Sequence, residues 1–537
     1  MPIPPPHRIL QHYRDFRSYF QKNRAPWRTT ESGIQYLLCK KKDAARDDII
    51  VSNSQFTSLL LDRFKNELRY DTTLALVENR PEASAKNLLR MLKFPGTLLL
   101  AFVAMFALFA PNTFFIFFNL IVVATILSMT AIRTSLAVIS AKLLPAPIEI
   151  MPIIEDLPII TVLVPVFREK EILPALASQI QKIDYPKNLL DLKLLLEEED
   201  AETLDEALRI GMDETFDIVI VPNSQPQTKP KACNYGLRCA RGDLIVIYDA
   251  EDAPDVCQLK KAVSAFSKGD TKLACVQAKL NFYNPCETWL TRLFALDYSL
   301  WFDHMLPALD KISAPIPLGG TSNIFRTAVL MEAGGWDPYN VTEDADLGFR
   351  LARLGYKTDV IASTTFEEAN CKTANWIRQR SRWIKGYIQT WAVHRVRGNA
   401  LLDWRSIISI DGFIGATAFA AIANPILIIF SILAVAGPTD ISKLSPTWLD
   451  YLNLIVLTGC NLVLIALNYF APRRRGRALL SSSAFLTPIY WLMISWAAYR
   501  ALWQLIVRPS FWEKTEHGIS LAAKERRAEA LRALGLE

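Results

Sequence analysis

The stretch Ile159-Ile160-Thr161-Val162-Leu163-Val164-Pro165-Val166 is almost entirely apolar and rich in β-branched residues. A run without polar alternation is typical of a strand that is buried on both faces, as in a parallel sheet. Four shorter runs of this kind follow, with helical segments between them: Leu192–Leu196, Ile218–Val221, Leu244–Tyr248 and Leu273–Gln277. Strands that alternate with helices predict an α/β domain with a mostly parallel sheet, which we place at residues 140–405.

The composition of the chain indicates a membrane protein. Of its 537 residues 51% are hydrophobic, and these are concentrated in blocks. The net charge of +6 is mild and suits anionic lipid surfaces and a phosphorylated substrate, and we expect no nucleic-acid partner. The eight cysteines lack metal-ligand spacing, so we expect free thiols.

The apolar blocks divide the chain into six predicted segments. In chain order these are a cytosolic N-terminal region (1–94), a transmembrane hairpin (95–135), the α/β domain (140–405), transmembrane helices (406–470), an interfacial or re-entrant helix (471–507) and a cytosolic tail (508–537). The four apolar stretches predicted to span a bilayer are Leu98–Ala110, Phe114–Ile132, Phe413–Ala436 and Tyr451–Tyr469. The polar start of the chain is unlike a cleavable signal peptide.

The last apolar stretch, Leu479–Val507, has a different character. It is dense in Tyr and Trp and contains Arg500, which favours a position at the membrane interface. The basic run Arg473–Arg477 just before it marks the cytoplasmic side. A crossing by Leu479–Val507 would place the basic tail outside, so we favour four spans and an interfacial helix, with five spans as the alternative.

Acidic clusters follow the predicted strands, at the edge where open α/β sheets bind ligands. The first strand leads into Phe167-Arg168-Glu169, the second into Glu197-Glu198-Glu199-Asp200, and the fourth into Asp249-Ala250-Glu251-Asp252. Carboxylates at alternate positions, such as Asp249 and Glu251, can hold a hard divalent cation against a diphosphate. Solvated acidic turns are the plainer interpretation of each cluster taken alone.

Two later motifs complete the set: Thr342-Glu343-Asp344 and Gln379-Arg380-Ser381-Arg382-Trp383. Gln379, Trp383 and Gly386 share one helix face, where Trp can stack on a sugar and Gln can bond its hydroxyls. The guanidinium fork of Arg382 suits phosphate oxygens. An amphipathic helix with a packed Trp is the alternative, as is a helix N-cap role for Asp344.

Together these motifs resemble the signature of inverting family-2 glycosyltransferases, the superfamily of cellulose synthase and hyaluronan synthase. Within that superfamily the chain looks nearest to bacterial β-glucan (curdlan-like) synthases. The resemblance implies a GT-A-type domain inserted between transmembrane helices. It also implies that Asp344 is the general base, that Glu343 orients its loop, and that Asp249 and Glu251 hold Mg²⁺ or Mn²⁺.

The resemblance implies further residues that bind the substrates. Lys231 would lie near the diphosphate, and Thr321 and Ser322 would form an acceptor-side loop. Trp512, Lys514 and Thr515 belong to a segment, Phe511–Gly518, that resembles a gating loop. The full set of expected substrate-binding residues is Pro165, Phe167, Glu169, Glu197, Glu199, Asp200, Lys231, Thr321, Ser322, Gln379, Arg382, Trp383, Trp512, Lys514 and Thr515.

The implied activity is processive synthesis of a β-linked polysaccharide from a UDP-sugar, with UDP-glucose as the first candidate. The enzyme would lie in the cytoplasmic (inner) membrane with its catalytic domain in the cytosol, and it would contact the growing glycan and membrane lipids. One alternative is transfer of a single sugar to a lipid carrier. Another is a transporter or scaffold with a degenerate transferase domain, which the intact Asp344, Asp249 and Trp383 disfavour.

Overall fold

The computed structural model describes residues 27–31, 34–38, 48–50, 61, 65–143, 157–396, 403–436 and 446–533. Much of the predicted N-terminal region lies outside the described residues. Three short strands within it form a small sheet: β1 (Trp27–Glu31), β2 (Ile34–Leu38) and β3 (Asp48–Ile50).

An eight-stranded sheet forms the centre of the α/β domain. Its strands in chain order are β4 (Ile160–Val166), β5 (Leu190–Glu197), β6 (Asp217–Val221), β7 (Leu244–Ile247), β8 (Ala253–Pro254), β9 (Leu273–Phe282), β10 (Asn323–Arg326) and β11 (Lys357–Glu367). The spatial order is β6-β5-β4-β7-β10-β9-β11-β8. The pairs among β6, β5, β4 and β7 are parallel, as is the pair of β9 with β11.

The predicted fold class, a mostly parallel sheet accompanied by long apolar helices, is confirmed. All five predicted strands are present: β5, β6 and β9 extend beyond the apolar runs that predicted them, whereas β4 and β7 are each one residue shorter. The antiparallel members, β10 and β8, make the sheet mixed. They were not predicted because four and two residues are too few to carry a periodic signal.

The described α-helices lie on both faces of the sheet and beyond it. They are α1 (Lys65–Thr73), α2 (Ala75–Asn79), α3 (Leu88–Phe109), α4 (Pro111–Ala141), α5 (Leu173–Gln181), α6 (Ala201–Arg209), α7 (Lys229–Arg238), α8 (Gln258–Lys268), α9 (Trp289–Leu300), α10 (Leu306–Lys311), α11 (Thr327–Glu332), α12 (Glu343–Arg353), α13 (Thr373–Val396), α14 (Ala416–Ala436), α15 (Thr447–Phe470), α16 (Thr487–Val507) and α17 (Leu521–Ala533). A short helix, Trp404–Ser406, and a π-helical stretch, Ile407–Gly415, precede α14.

Close packing of α7 on the sheet positions one end of the site. A side chain at Gly236 would come within 2.7 Å of Leu163 Cδ2 and 3.0 Å of Leu195 Cδ1. The glycine therefore lets α7 approach β4 and β5 directly. This contact brings the first residue of α7, Lys229, to the edge of the sheet where the acidic clusters lie.

Four helical segments of the described chain are long and apolar enough to cross a membrane: Pro111–Ala141, Trp404–Ile429, Thr447–Arg475 and Ala478–Val507. This set differs from the predicted one in two ways: Gly96–Phe109, predicted to span, is shorter, and Ala478–Val507, predicted to lie at the interface, is long and apolar enough to cross. Buried apolar side chains join α4, α14 and α15, among them Val122, Ala423 and Val456. The seven described cysteines are free, as expected.

Both ends of α16 contact the α/β domain. Before the helix, Arg477 donates a hydrogen bond to the side-chain oxygen of Asn281 (2.9 Å). After it, Lys385 of α13 donates to the carbonyl of Phe511 (2.8 Å). A helix of 21 residues is about 30 Å long. Between these two anchors α16 packs against α13 and also against α14, through Ala497, Ala498 and Ala501.

We expect Lys193→Met to destabilise the domain strongly. The Lys193 ammonium is fully buried between Asp191 (3.1 Å) and Asp217 (3.2 Å), and its removal takes a cation from both carboxylates, leaving Arg241 (2.9 Å) beside Asp191. Loss of one partner of a buried ion pair costs about 3–5 kcal/mol, which lowers the Tm by roughly 10 °C in a domain of this size. Thermal unfolding in detergent measures the change. The exposed Lys182→Met is the control, and equal Tm values for the two variants would contradict the prediction.

Candidate active site

A cavity of about 780 Å³ opens at the carboxyl edge of the sheet and continues between the apolar helices. Its lining residues in the α/β domain come from the ends of β4, β5 and β7, from the start of α7, and from α12 and α13. On the other side the lining includes Arg133 of α4, Asn424 of α14, Asn461 of α15 and Ser495 of α16. One continuous space thus joins the acidic clusters to polar side chains on the apolar helices.

The loop after β4 and the end of β5 supply the first wall of this cavity. Five of the predicted residues line it: Pro165, Phe167, Glu169, Glu197 and Glu199. Burial raises the pKa of Glu169 to about 7, against the opposing effect of nearby cations. Asp200 does not line the cavity. Its carboxylate caps α6 by accepting a hydrogen bond from the Thr203 amide and also bonds the Arg168 amide, so its predicted contact with substrate is not supported.

Asp249 and Glu251 both face the cavity, as expected for a cation site. Lys229 pairs with Asp249, and His517 lies 2.8 Å from Glu251 Oε1. Asp252 instead points inward, where its carboxylate accepts hydrogen bonds from Thr321 and from the Asp249 amide (2.8 Å). No three His, Cys, Asp or Glu side chains among the described residues stand together as a ready-made metal site. Two carboxylates completed by substrate phosphates are nevertheless a donor set that Mg²⁺ accepts.

Of the two lysines at the start of α7, Lys229 lines the cavity and the predicted Lys231 does not. Lys229 Nζ bonds Asp249 and the carbonyl of Gly320 (2.8 Å). Lys231 is fully buried, and its Nζ donates to Glu197 (2.8 Å) and to the Ser224 carbonyl (3.3 Å). Residues two apart on a helix point about 200° away from each other, so only one of the two lysines can face the cavity. If the first residue of α7 had been known, the direction of each side chain would have identified Lys229 as the lysine that faces the cavity.

The loop Gly319–Asn323 is only partly exposed to the cavity. Thr321 lines it, although its hydroxyl donates inward to the carbonyl of Ile247 (3.1 Å) and to Asp252. Ser322 is fully buried and its hydroxyl lies 2.6 Å from that of Thr365. The expected contact of Ser322 with substrate is therefore not supported, whereas Thr321 keeps a place in the wall.

Glu343 and Asp344 occupy the first turn of α12 and both line the cavity. Asp344 is thus inside the helix and is not its N-cap; its Oδ1 accepts a hydrogen bond from the Ala345 amide (2.7 Å). Burial, followed by the neighbouring Asp344 carboxylate, raises the pKa of Glu343 to about 8. Burial also raises the pKa of Asp344. Two neighbouring carboxylates buried in one turn thus hold their protons to higher pH than free carboxylic acids do.

The helix α13 presents Gln379, Arg382 and Trp383 to the same cavity. The Trp383 ring stacks on Tyr298 (6.3 Å between centroids), and the guanidinium of Arg380 lies over the same ring (4.4 Å). The Arg382 guanidinium lies 4.2 Å from the ring of Trp512. Gln379 accepts a hydrogen bond from Asn370 (2.9 Å). All three predicted residues of this motif are therefore brought together with the acidic clusters.

The segment after α16 crosses the cavity, and Trp512, Lys514, Thr515 and His517 line it. Lys514 Nζ donates to the carbonyls of Phe167 and Arg168 (3.0 Å to the latter) and lies 3.4 Å from Glu169. Burial opposes the charged imidazolium of His517, but Glu251 outweighs it and the pKa of His517 rises to about 10. Sequence reasoning missed His517, whose only signal was its place in the segment Phe511–Gly518.

We expect Gly386→Ala to destabilise the site. A Cβ at this buried position would stand 2.4 Å from Cγ2 and Oγ1 of Thr342, so α13 would have to move away from the start of α12. Overpacking of this kind costs about 1–3 kcal/mol. Thermal unfolding in detergent gives the Tm. The matched control is Gly459→Ala in α15, where no atom lies within 4 Å of the new Cβ, and a Tm drop of equal size in both variants would contradict the prediction.

Comparisons with known proteins agree with this arrangement of motifs. Residues 158–386 match the family model "Glycosyltransferase like family 2". "Probable glycosyltransferase YdaM" of Bacillus subtilis is 28% identical, over 43% of this chain and 56% of its own length. "Glucomannan 4-beta-mannosyltransferase 7" of Arabidopsis thaliana is 27% identical (43% and 42%), and "Beta-monoglucosyldiacylglycerol synthase" of Trichormus variabilis is 24% identical (44% and 51%).

The chain spans about half the length of these curated relatives. Among solved structures, a mannosyltransferase from Pyrobaculum calidifontis in complex with GDP-Man and Mn²⁺ aligns with a TM-score of 0.47 and 18% identity, over 71% of this chain and 99% of that one. The family match falls on the α/β domain and includes the acidic clusters, Asp344 and Trp383. Residues 158–386, which hold these motifs, are therefore similar in sequence to family 2 glycosyltransferases.

Proposed function

We propose that the protein transfers hexose units from a UDP-sugar, UDP-glucose first among them, to a growing β-linked glycan by inversion at the anomeric carbon. The glycan would leave through the space between the apolar helices. The observation that carries this proposal is the single cavity that holds both the acidic clusters and Trp383 and then continues along Asn424, Asn461 and Ser495.

Donor binding is assigned to the wall formed by β4, β5 and the tail segment. Phe167 and Glu169 would contact the nucleoside, with Lys514 and Trp512 closing over it. Asp249 and Glu251 would hold Mg²⁺ or Mn²⁺, a cation that neutralises charge on the departing diphosphate as a Lewis acid. Lys229 carries positive charge beside Asp249, and Arg382 lies near Glu343, Asp344 and Asp249; both would bind the diphosphate oxygens.

Asp344 would accept the proton of the acceptor hydroxyl as that oxygen attacks the anomeric carbon. The leaving diphosphate is already acidic, so the reaction needs no protein acid opposite the base. Gly320 supports this assignment, because a Cβ there would come within 3.3 Å of Asp344 Oδ2 and would narrow the space beside the base. Glu343, protonated near neutral pH, would orient the first turn of α12.

The acceptor is assigned to the part of the cavity that lies on the far side of Trp383 from the acidic clusters. The indole of Trp383, held by its contacts with Tyr298 and Arg380, would present an apolar surface to a sugar ring at the entrance to the helix-lined part of the cavity. Polar groups along that path, among them Arg133 and Asn461, suit a hydroxyl-rich chain better than an acyl chain. One relative is named for glucomannan and another for a glucosyl lipid. The experiment must therefore distinguish a glycan acceptor from a lipid acceptor.

The orientation that we propose places the domain in the cytosol beneath the inner membrane. Because both ends of α16 contact the domain, this helix would lie at the membrane interface and not cross. The helix pair α3–α4 and the later helices α14 and α15 would then supply the spans. The basic run Arg473–Arg477 would face the cytosol, as the positive-inside tendency requires.

We expect purified protein in lipid nanodiscs to convert UDP-glucose into a polymer and to require Mg²⁺ or Mn²⁺. Radiolabelled UDP-glucose, UDP-N-acetylglucosamine, UDP-galactose and GDP-mannose should be compared, with products sized by gel filtration and their linkages determined. Asp249→Asn should abolish the reaction. Incorporation from GDP-mannose alone would overturn the choice of donor, and a product carrying one sugar on lipid would overturn polymerisation.

We expect Asp344→Asn to slow sugar transfer by about 10²–10⁴-fold, the range that a general base contributes. Because burial raises the pKa of Asp344, this carboxylate is protonated as the pH falls, and activity is lost on the acidic side and kept above that pKa. The acidic limb should therefore lie above the ordinary Asp value of about 3.9. Release of UDP measured from pH 4 to 9 tests this, with the exposed Asp205→Asn as control. Unchanged turnover in Asp344→Asn would exclude the base assignment.

A further inference from the structure

We propose that residues 65–88, the N-terminal clamp, belong to the catalytic unit, and that Asp337 is the positioning residue through which this clamp fixes the base. The inference rests on the proposed function for the role of Asp344. The clamp comprises α1, α2 and the turn that leads into α3. It lies outside the stretch that matches the family model, so it adds to the site a part that the family match does not contain.

The clamp is packed into the α/β domain. Leu68 of α1 is fully buried in the same apolar cluster as side chains of α7, and Asp71 pairs with Arg238 of α7 (2.8 Å). Leu76 of α2 covers Gly334, where a Cβ would stand 2.8 Å from Leu76 Cδ1. These contacts place the clamp at a fixed position over α7 and over the turn that follows α11.

The last turn of the clamp contacts Asp337 directly. This carboxylate is fully buried, and it accepts hydrogen bonds from the Ser84 hydroxyl (3.0 Å) and the Ala85 amide (2.7 Å), as well as from the amide of Tyr339 (3.1 Å). The Ser84 oxygen in turn accepts a hydrogen bond from the Lys86 amide (3.3 Å). A buried carboxylate without donors is costly, so Asp337 and the clamp stabilise each other.

Asp337 opens the loop that leads to the base. Its carbonyl accepts a hydrogen bond from the Asn340 amide (3.2 Å), and Asn340 Oδ1 accepts one from the Thr342 amide (3.1 Å). Thr342 directly precedes α12, whose first turn carries Asp344. Short local bonds therefore transmit the position of Asp337 to the base, which lies seven residues further along the chain.

A second tie joins the clamp to the same loop through α7. Asn234 Nδ2 donates to the carbonyl of Thr72 (3.0 Å) and to the carbonyl of Trp336 (2.9 Å), and its Oδ1 accepts a hydrogen bond from the Trp336 amide (3.0 Å). Asn234 is buried and belongs to the helix whose first residue, Lys229, lines the cavity. The clamp thus holds the residue before Asp337 as well as Asp337 itself. Misplacement of a reacting group by about 1 Å can reduce turnover ~10²-fold, so this double attachment bears on the rate.

Turnover with and without the base tests the inference, with kcat measured as UDP release from the sugar nucleotide that the protein accepts. We expect Ser84→Ala and Asp337→Asn each to lower kcat about tenfold and to leave the affinity for UDP, measured by calorimetry, within about twofold of the wild-type value. In the Asp344→Asn background Ser84→Ala should lower the residual kcat no further, because no base remains to be positioned. Thr73→Val is the matched control: its buried hydroxyl donates within α1 to the Arg69 carbonyl (2.6 Å), and its loss should leave kcat unchanged.

Two results would overturn the inference while the transferase proposal stands. One is an unchanged kcat in both Ser84→Ala and Asp337→Asn, whether or not UDP binding weakens. The other is an equal fractional loss of kcat from Ser84→Ala with and without Asp344, which would mean that the clamp only stabilises the fold. If Asp344→Asn alone left kcat unchanged, the base assignment of the proposed function would fail, and this inference with it. The Tm of each variant verifies that it is folded, and Ser84→Ala carries the test if Asp337→Asn does not fold.

Discussion

The contact between Gly386 and Thr342 holds the two halves of the site together. Helix α13 carries Trp383 and Arg382, while the turn that begins at Thr342 carries Asp344. A Cβ on residue 386 would collide with Thr342, so the missing side chain sets how closely the two elements approach. Sugar transfer demands that base, acceptor and donor stand in line, and errors of about 1 Å are costly. The geometry of the site thus depends on the absence of a Cβ atom at Gly386.

Charge balance explains how so many carboxylates are tolerated in one cavity. Three of these acids pair with a cation from elsewhere in the chain: Lys229 of α7 pairs with Asp249, and the tail supplies Lys514 for Glu169 and His517 for Glu251. Unpaired, each would impose a large desolvation cost. Because the partners are distant in sequence, the acidic edge of the sheet and the tail segment stabilise each other, and the site forms only when the whole domain is folded.

The sequence was sufficient for the parts of the fold that carry a strong local signal. Continuous apolar runs predicted five strands, and the motifs around Asp344 and Trp383 predicted a common site that the structure brings together. The predicted substrate contacts that differ from the structure have a different origin. Lys231 and Ser322 face the interior, and Asp200 caps a helix, because side-chain direction depends on where an element begins. His517 could not be found from spacing, since its neighbour in space, Glu251, is set by the path of the tail.

The tail segment is tied down at both ends, by Arg500 to Glu513 (2.6 Å) on one side and by Glu368 to Ser520 on the other. A short bridge between two fixed points has a small closure entropy, and its side chains have a high effective molarity at the cavity. Lys514 and His517 are therefore held at the cavity by intramolecular contacts alone. Their presence there is then a property of a few anchoring bonds, independent of the protein concentration.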